Sequence, residues 1–160
     1  MNKLLLFCDG SVNVQNNVGY GAYLALDEDD LIKQKYPDIQ LKRFENTSST
    51  KLELQTLLWA FNDIKLKNRQ VVVFTDSQNI VGLKSRRKRI EKNDFKSKKG
   101  ILLKNHELYR QFYLLMDLLD VEIIKIKGHQ SSRFKNDMER IFGLVDKTSR
   151  KMLKKEFNPK

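Results

Sequence analysis

Short apolar runs that stop at a carboxylate are the most telling pattern along this chain. In Lys3 to Ser11, KLLLFCDGS, the run ends at Asp9 and the Gly10-Ser11 turn pair; in Val71 to Gln78, VVVFTDSQ, four apolar residues lead into Thr75, Asp76 and Ser77. Both segments predict buried strands. Val18 to Leu26, VGYGAYLAL, predicts another strand, with Gly19 and Gly21 marking a bulge or a close backbone approach. The turn residues of Ser11 to Asn17 join it to the first strand as an antiparallel hairpin. Asp27 to Asp30 predicts the next turn, and Ile39 to Phe44, after Pro37, a weaker strand at the sheet edge, its basic residues blunting edge pairing.

Helical spacing takes over in the remaining segments. Asn46 to Thr50, NTSST, predicts a helix start, with a serine at 48 or 49 and Glu53 resembling a capping arrangement. The helix runs to about Lys67 on a stripe of Leu54, Leu57, Leu58, Phe61 and Ile64. The strand Gln70 to Thr75 follows after a short link, which predicts a crossover returning parallel to the first strand. Ser77 to Ser85 reads as a short helix capped by Ser77. Ile101 to Leu119 reads as a long one, with Leu102, Leu108, Phe112, Leu115 and Leu119 inward, Tyr109 and Tyr113 in the core or at its rim, and His106 on the surface. Val121 to Lys127 is the last strand, and a final helix from Phe134 toward Phe157 turns Phe142, Val145, Ser149 and Met152 inward.

If the first and fourth strands lie parallel and adjacent, Asp9 and Asp76 face one another at their carboxyl ends, where open α/β sheets collect ligands. Two such carboxylates repel unless a cation lies between them; taken singly, each acid caps a turn before Gly or Ser. Glu53 lies beside its helix's apolar stripe, either as a partner of the helix dipole or as a carboxylate aimed at the sheet edge. Asp146, next to Val145 and one turn after Phe142, has the same marginal position on the last helix. An all-oxygen set of Asp9, Glu53, Asp76 and Asp146 selects Mg²⁺ first and Mn²⁺ second. One cysteine and two histidines exclude the usual structural zinc sets.

Composition sharpens this picture. The 31 Lys plus Arg against 20 Asp plus Glu give a formal charge of +11 in 160 residues, the footprint of a polyanion binder. The run from Lys84 to Lys99, interrupted only by Ile90 and Phe95 among its apolar residues, is either a solvated helix face or a surface for a phosphate backbone. A carboxylate patch in so basic a protein suits a polyanion only when metals invert its sign, which points to phosphodiester hydrolysis by two metals about 3.5 to 4 Å apart. The lone Cys8 fits a packing role in a reducing compartment, and the apolar segment after Met1 is too short for a signal peptide or a membrane span. A cytoplasmic protein of one domain over residues 1–160 is expected.

The order DGS at 9 to 11, ELQ around Glu53, TDSQ at 75 to 78, KGH at 127 to 129 and VDKTSR at 145 to 150 resembles the ribonuclease H type 1 family across nearly the whole chain. The resemblance implies an α/β fold with a five-stranded mixed sheet, its first three strands antiparallel, flanked by helices. It implies Mg²⁺-dependent endonucleolytic cleavage of the RNA strand of RNA/DNA hybrids, leaving a 5′-phosphate and a 3′-hydroxyl, by a monomer without a protein partner. Asp9, Glu53, Asp76 and Asp146 would hold the metals, and His129, otherwise a plain loop histidine, would assist proton transfer or product release. The basic run resembles the family's basic protrusion, here about 84–100. Lys84, Arg86, Arg87, Lys88, Arg89, Lys96, Lys98, Lys99 and Asn105 would grip the hybrid, and Gln78 of TDSQ would join them. Ser49 and Thr50 stand where the family often has an asparagine pair that reads 2′-hydroxyls. The glycine-rich turn after DGS is replaced by Val12 to Asn17, and the protrusion has no tryptophan, since Trp59 falls in the first helix core. Asp137 and Glu139 are rivals of Asp146 as the fourth acid. The alternative is a non-catalytic module that binds hybrid or double-stranded RNA.

Overall fold

The computed structural model describes residues 3–64, 66, 69–127 and 136–158. The first two strands, β1 (Lys3–Asn13) and β2 (Val18–Asp27), form the expected antiparallel hairpin, and β3 (Gln40–Phe44) adds antiparallel at its edge. Between β2 and β3 the expected turn is a helix, α1 (Glu28–Lys33). Asp27 accepts from the Asp30 N–H at 2.8 Å and the Asp30 carboxylate accepts from the Asp27 N–H at 3.1 Å, a capping box written in residues that also suit turns.

Next, α2 (Ser49–Asp63) starts where NTSST predicts but ends earlier than Lys67, with Ile64 already extended. Ser48 caps it by accepting from the Lys51 N–H at 3.3 Å; Glu53 is not the capping partner. β4 (Gln70–Thr75) then returns parallel to β1. The helix after it, α3 (Gln78–Lys92), is much longer than Ser77 to Ser85 and takes up half of the basic run, because lysine and arginine propagate a helix well. α4 (His106–Leu118) begins later than Ile101; Ile101 and Leu102 are 65% and 49% exposed, and Leu102 instead bridges to Lys96 in the preceding loop. β5 (Val121–Lys125) pairs parallel with β4, and α5 (Asp137–Phe157) opens on Asn136, whose side chain accepts from the Glu139 N–H. Phe134, the expected start of that helix, lies outside the described residues. The sheet order is β3-β2-β1-β4-β5.

Both faces of the sheet are buried, which is why β1 and β4 read as unbroken apolar runs. Leu6, Cys8, Val71 and Val73 face Leu54, Leu57 and Phe61 of α2, Ile80 and Leu83 of α3, and Phe112 and Tyr113 of α4. Leu5, Phe7, Val72 and Phe74 face Ile141, Phe142 and Val145 of α5. Tyr113 donates to the Leu83 carbonyl at 2.8 Å, so α4 is tied to α3 through the core. Trp59 is half-buried and stacks edge-on to Tyr23.

Gly21 answers the expectation of a close backbone approach. A Cβ there would overlap the hydroxyl, Cβ and methyl of Thr56 in α2, which is itself buried. Gly21→Ala should therefore destabilise the protein by about 1–3 kcal/mol, read from the urea-unfolding midpoint. An unchanged midpoint would mean that α2 does not seat this closely on β2.

Candidate active site

Register brings the first two acids together. Phe7 pairs with Phe74 across the parallel β1–β4 ladder, the rings stacked with centroids 4.7 Å apart, and each acid follows its phenylalanine by two residues. Asp9 and Asp76 therefore stand at the same level of adjacent parallel strands, although only β4 ends there; β1 runs on to Asn13 against β2. Asp9, Glu53 and Asp76 line one narrow cleft, walled by Cys8, Thr56, Thr75 and Ile80. Thr56, which sequence reasoning did not single out, has a buried hydroxyl without a hydrogen-bond partner in that wall. Its only signal in the sequence is its position one turn from Leu52 and Glu53.

Glu53 stands in the first turns of α2 and accepts from the Ser77 hydroxyl at 2.6 Å. Ser77 also accepts from the Ile80 N–H to cap α3, and its own N–H donates to Thr75 Oγ1 at 3.1 Å. One buried serine thus sets both the start of α3 and the orientation of Glu53. Burial pushes the Glu53 carboxyl above its ordinary range and the Asp76 charge adds to this, while the Ser77 hydroxyl pulls the other way.

The fourth acid comes from α5, where Val145 is fully buried against the sheet and Asp146 beside it reaches Asp9. Burial first, then a hydrogen bond shared with Asp146, then the charges of Asp76 and Asp146 push the Asp9 pKa up to about 9, against a smaller lowering by the Gly10 N–H. Two carboxyls share a hydrogen bond only when one is protonated; with both ionised, Asp9 Oδ2 is buried without a donor. The other side of Asp146 is paired with Arg150, Oδ2 to Nη2 at 2.8 Å. The rivals sit elsewhere. Asp137 is exposed and pairs with Arg140, and Glu139 lines a separate cavity with Phe74 and Ile124 to Lys127. Among the described residues no group of three or more His, Cys, Asp or Glu side chains is arranged to hold a metal ion. His129 and the rest of the KGH motif beyond Lys127 lie outside the described residues.

The raised Asp9 pKa has a consequence for stability. The unfolded carboxyl ionises near the ordinary value of 3.8, while the folded one keeps its proton to about 9. Its contribution is therefore fully present below about pH 4 and is lost progressively as pH rises toward 9. In a chelator, Asp9→Asn should leave stability near that of the parent at pH 5 and exceed it clearly at pH 8, as read by urea unfolding. A constant difference across that range would contradict the burial of Asp9.

The basic residues divide into two sets. Arg87 is committed to partners of its own chain at the surface, its guanidinium held by both Asp117 oxygens at 2.6 and 2.8 Å and by Glu91 at 3.0 Å, over the Tyr113 ring. Lys84 donates to the Val121 carbonyl at 2.6 Å, and Arg86 to Asn79 at 2.8 Å. Lys88, Arg89, Lys96, Lys98 and Lys99 are exposed. Arg86, Arg89, Lys96 and Lys98 rim a cavity of about 280 Å³ floored by Ile90, Leu103 and Tyr109. Its shape is set by the link to α4, where Asp94 and Phe95 both take left-handed backbone angles, φ 51° and 59°. Phe95 is buried, its N–H donates to the Ile90 carbonyl, and Arg110 lies over its ring. Asn105 and His106 are half-buried at the start of α4; His106, expected on the surface, has a buried Nδ1 without a partner. Ser49 and Thr50 are exposed at the start of α2, and Gln78 is exposed and accepts from Lys125 at 2.7 Å.

A mixed sheet in the order β3-β2-β1-β4-β5 with its first three strands antiparallel, carrying Asp9 within β1 and Asp76 just past β4, defines the ribonuclease H-like class of fold. The solved RNase H domain of prototype foamy virus superposes with a TM-score of 0.74 at 18% identity, over 94% of this chain and 93% of that one. A foamy viral protease-reverse transcriptase in complex with an RNA/DNA hybrid gives a TM-score of 0.65 at 11% identity, over 94% of this chain and 19% of that one. The family model for RNase H matches residues 1–140, and the chain belongs to the ribonuclease H family. It is 26% identical over 157 residues to Ribonuclease H of Caldicellulosiruptor saccharolyticus, spanning 96% of this chain and 98% of the relative. To Ribonuclease H of Clostridium botulinum it is 24% identical over 145 residues, 88% of this chain and 93% of the relative. The matched family segment stops short of Asp146, so that residue's membership of the acid cluster rests on its contact with Asp9.

Proposed function

We propose that this protein is a Mg²⁺-dependent endonuclease that hydrolyses the RNA strand of RNA/DNA hybrids, leaving 5′-phosphate and 3′-hydroxyl ends. The observation that carries the reading is the meeting of Asp9 with Asp76 and Asp146, with an Asp9 oxygen buried and lacking a donor when the pair is ionised. Such an oxygen fits a hard cation, and the donor set of Asp9, Glu53, Asp76 and Asp146 is all oxygen. Mg²⁺, or Mn²⁺ in its place, supplies two-metal activation of water and stabilisation of the leaving oxygen when bound.

The chain's own part is placement. Ser77 holds Glu53 turned into the cleft, and the β1–β4 register holds Asp9 level with Asp76. His129 follows β5 by four residues and acts as the proton carrier at the leaving group, the role to which a group titrating near neutrality is suited. Exposed Ser49, Thr50 and Gln78 read 2′-hydroxyls of the RNA strand, while the exposed lysines and Arg89 of the ridge hold phosphates. Among the described residues no helix is long and apolar enough to cross a membrane.

Cleavage of end-labelled RNA/DNA hybrid, RNA duplex and DNA duplex in parallel, with and without Mg²⁺, tests this. Only the hybrid should be cut, only with the ion present. Tight binding of the hybrid without any cleavage would instead favour a non-catalytic binding module.

A further inference from the structure

We infer that Ser149, through its hydrogen bond to Ser11, is a positioning residue that fixes the seat of α5 on β1 and so places the Asp146 carboxyl beside Asp9. The inference rests on the proposed reading of the acid cluster. Ser149 is fully buried, its Oγ 3.2 Å from Ser11 Oγ and 3.0 Å from the Asp146 carbonyl, to which it donates. That uses its one proton, so the Ser11 hydroxyl is the donor between the two serines.

The rest of the seat is apolar. Ile141, Phe142 and Val145 meet Leu5, Phe7 and Phe74, contacts that hold the helix down but resist neither a slide nor a rotation strongly. A hydrogen bond is directional and resists both. Its location matters as much as its chemistry. Ser11 follows Asp9 by two residues and shares its face of β1; Ser149 follows Asp146 by three and shares its side of α5. The serine pair is therefore the next rung along from the acid pair. Farther along the helix, Glu156 accepts from Tyr20 at 2.5 Å and from Arg43 at 2.8 and 3.1 Å, a second polar anchor on β2 and β3.

Four variants test the inference: Ser149→Ala, Ser11→Ala, the double alanine variant, and Ser11→Thr, which keeps the hydroxyl. Both single alanine variants should lower kcat on the hybrid about ten- to hundredfold, with KM within twofold. Magnesium affinity, measured by calorimetry on the substrate-free protein, should weaken severalfold in parallel. The double variant should be no worse than the singles, and Ser11→Thr should retain the parent values. A lower melting temperature with kcat and magnesium affinity unchanged would make the serine pair structural only and overturn the inference. So would independent, additive losses in the double variant. Should Ser149→Ala fold poorly, Ser11→Ala, at a half-buried strand position, decides alone. A parent protein that bound magnesium yet cut no hybrid would sink the proposed hydrolysis, while the affinity ratios would still judge the positioning role.

Discussion

Asp76→Asn should reduce Mg²⁺-dependent hybrid cleavage by on the order of 10³-fold or more while the fold stays intact. The side chain stands at the end of β4 beside Thr75 and Ser77, whose backbone and hydroxyls already bind one another and cap α3. Asparagine has nearly the same shape and keeps the Thr75 and Ser77 contacts. It also removes one of the charges that hold the Asp9 carboxyl up at about 9, so folding in the absence of metal should not weaken at neutral pH. Single-turnover cleavage with saturating enzyme, beside a thermal melt, separates the two outcomes. Robust cleavage by this variant would remove Asp76 from the chemistry.

Neutralising Lys88, Arg89, Lys96 and Lys98 together to glutamine should flatten the salt dependence of hybrid binding. Each phosphate contact contributes a slope of roughly −0.9 in log K against log salt, so four lost contacts flatten it by as much as about 3.6. At low salt the affinity itself should fall by several orders of magnitude. All four side chains are exposed on the second half of α3 and the loop after it, whereas Arg87, just ahead of them, is occupied by Asp117, Glu91 and the Tyr113 ring. Arg87→Gln is accordingly the internal control, expected to lower the melting temperature with the salt slope unchanged. An identical slope in the fourfold variant would move the hybrid to a different face.

The sheet was legible because its signals are local. Unbroken apolar runs in β1 and β4, a short link from α2 into β4 and turn residues after β1 define neighbours and direction, and the Phe7 to Phe74 register then brings Asp9 level with Asp76. Helix limits were less so. Asp27 and Asp30 cap α1 with the same residue type that makes turns, and α3 continues through lysines and arginines whose only buried anchor in that half is Ile90. Leu102 was read into α4 because an apolar residue at helical spacing carries no mark of the bridge that it makes instead. Arg87 illustrates a further limit, since a cation in a basic run does not disclose that its acid, Asp117, waits 30 residues on. The Ser11 to Ser149 bond spans 138 residues and is invisible until the chain is folded.

The four proposed acids come from β1, α2, the end of β4 and α5, elements far apart in the sequence. On the proposed reading, a copy cut between β5 and α5 holds three of the four at most. Such a cut spares the β1–β4 pair that brings Asp9 level with Asp76 and removes the carboxylate that meets Asp9.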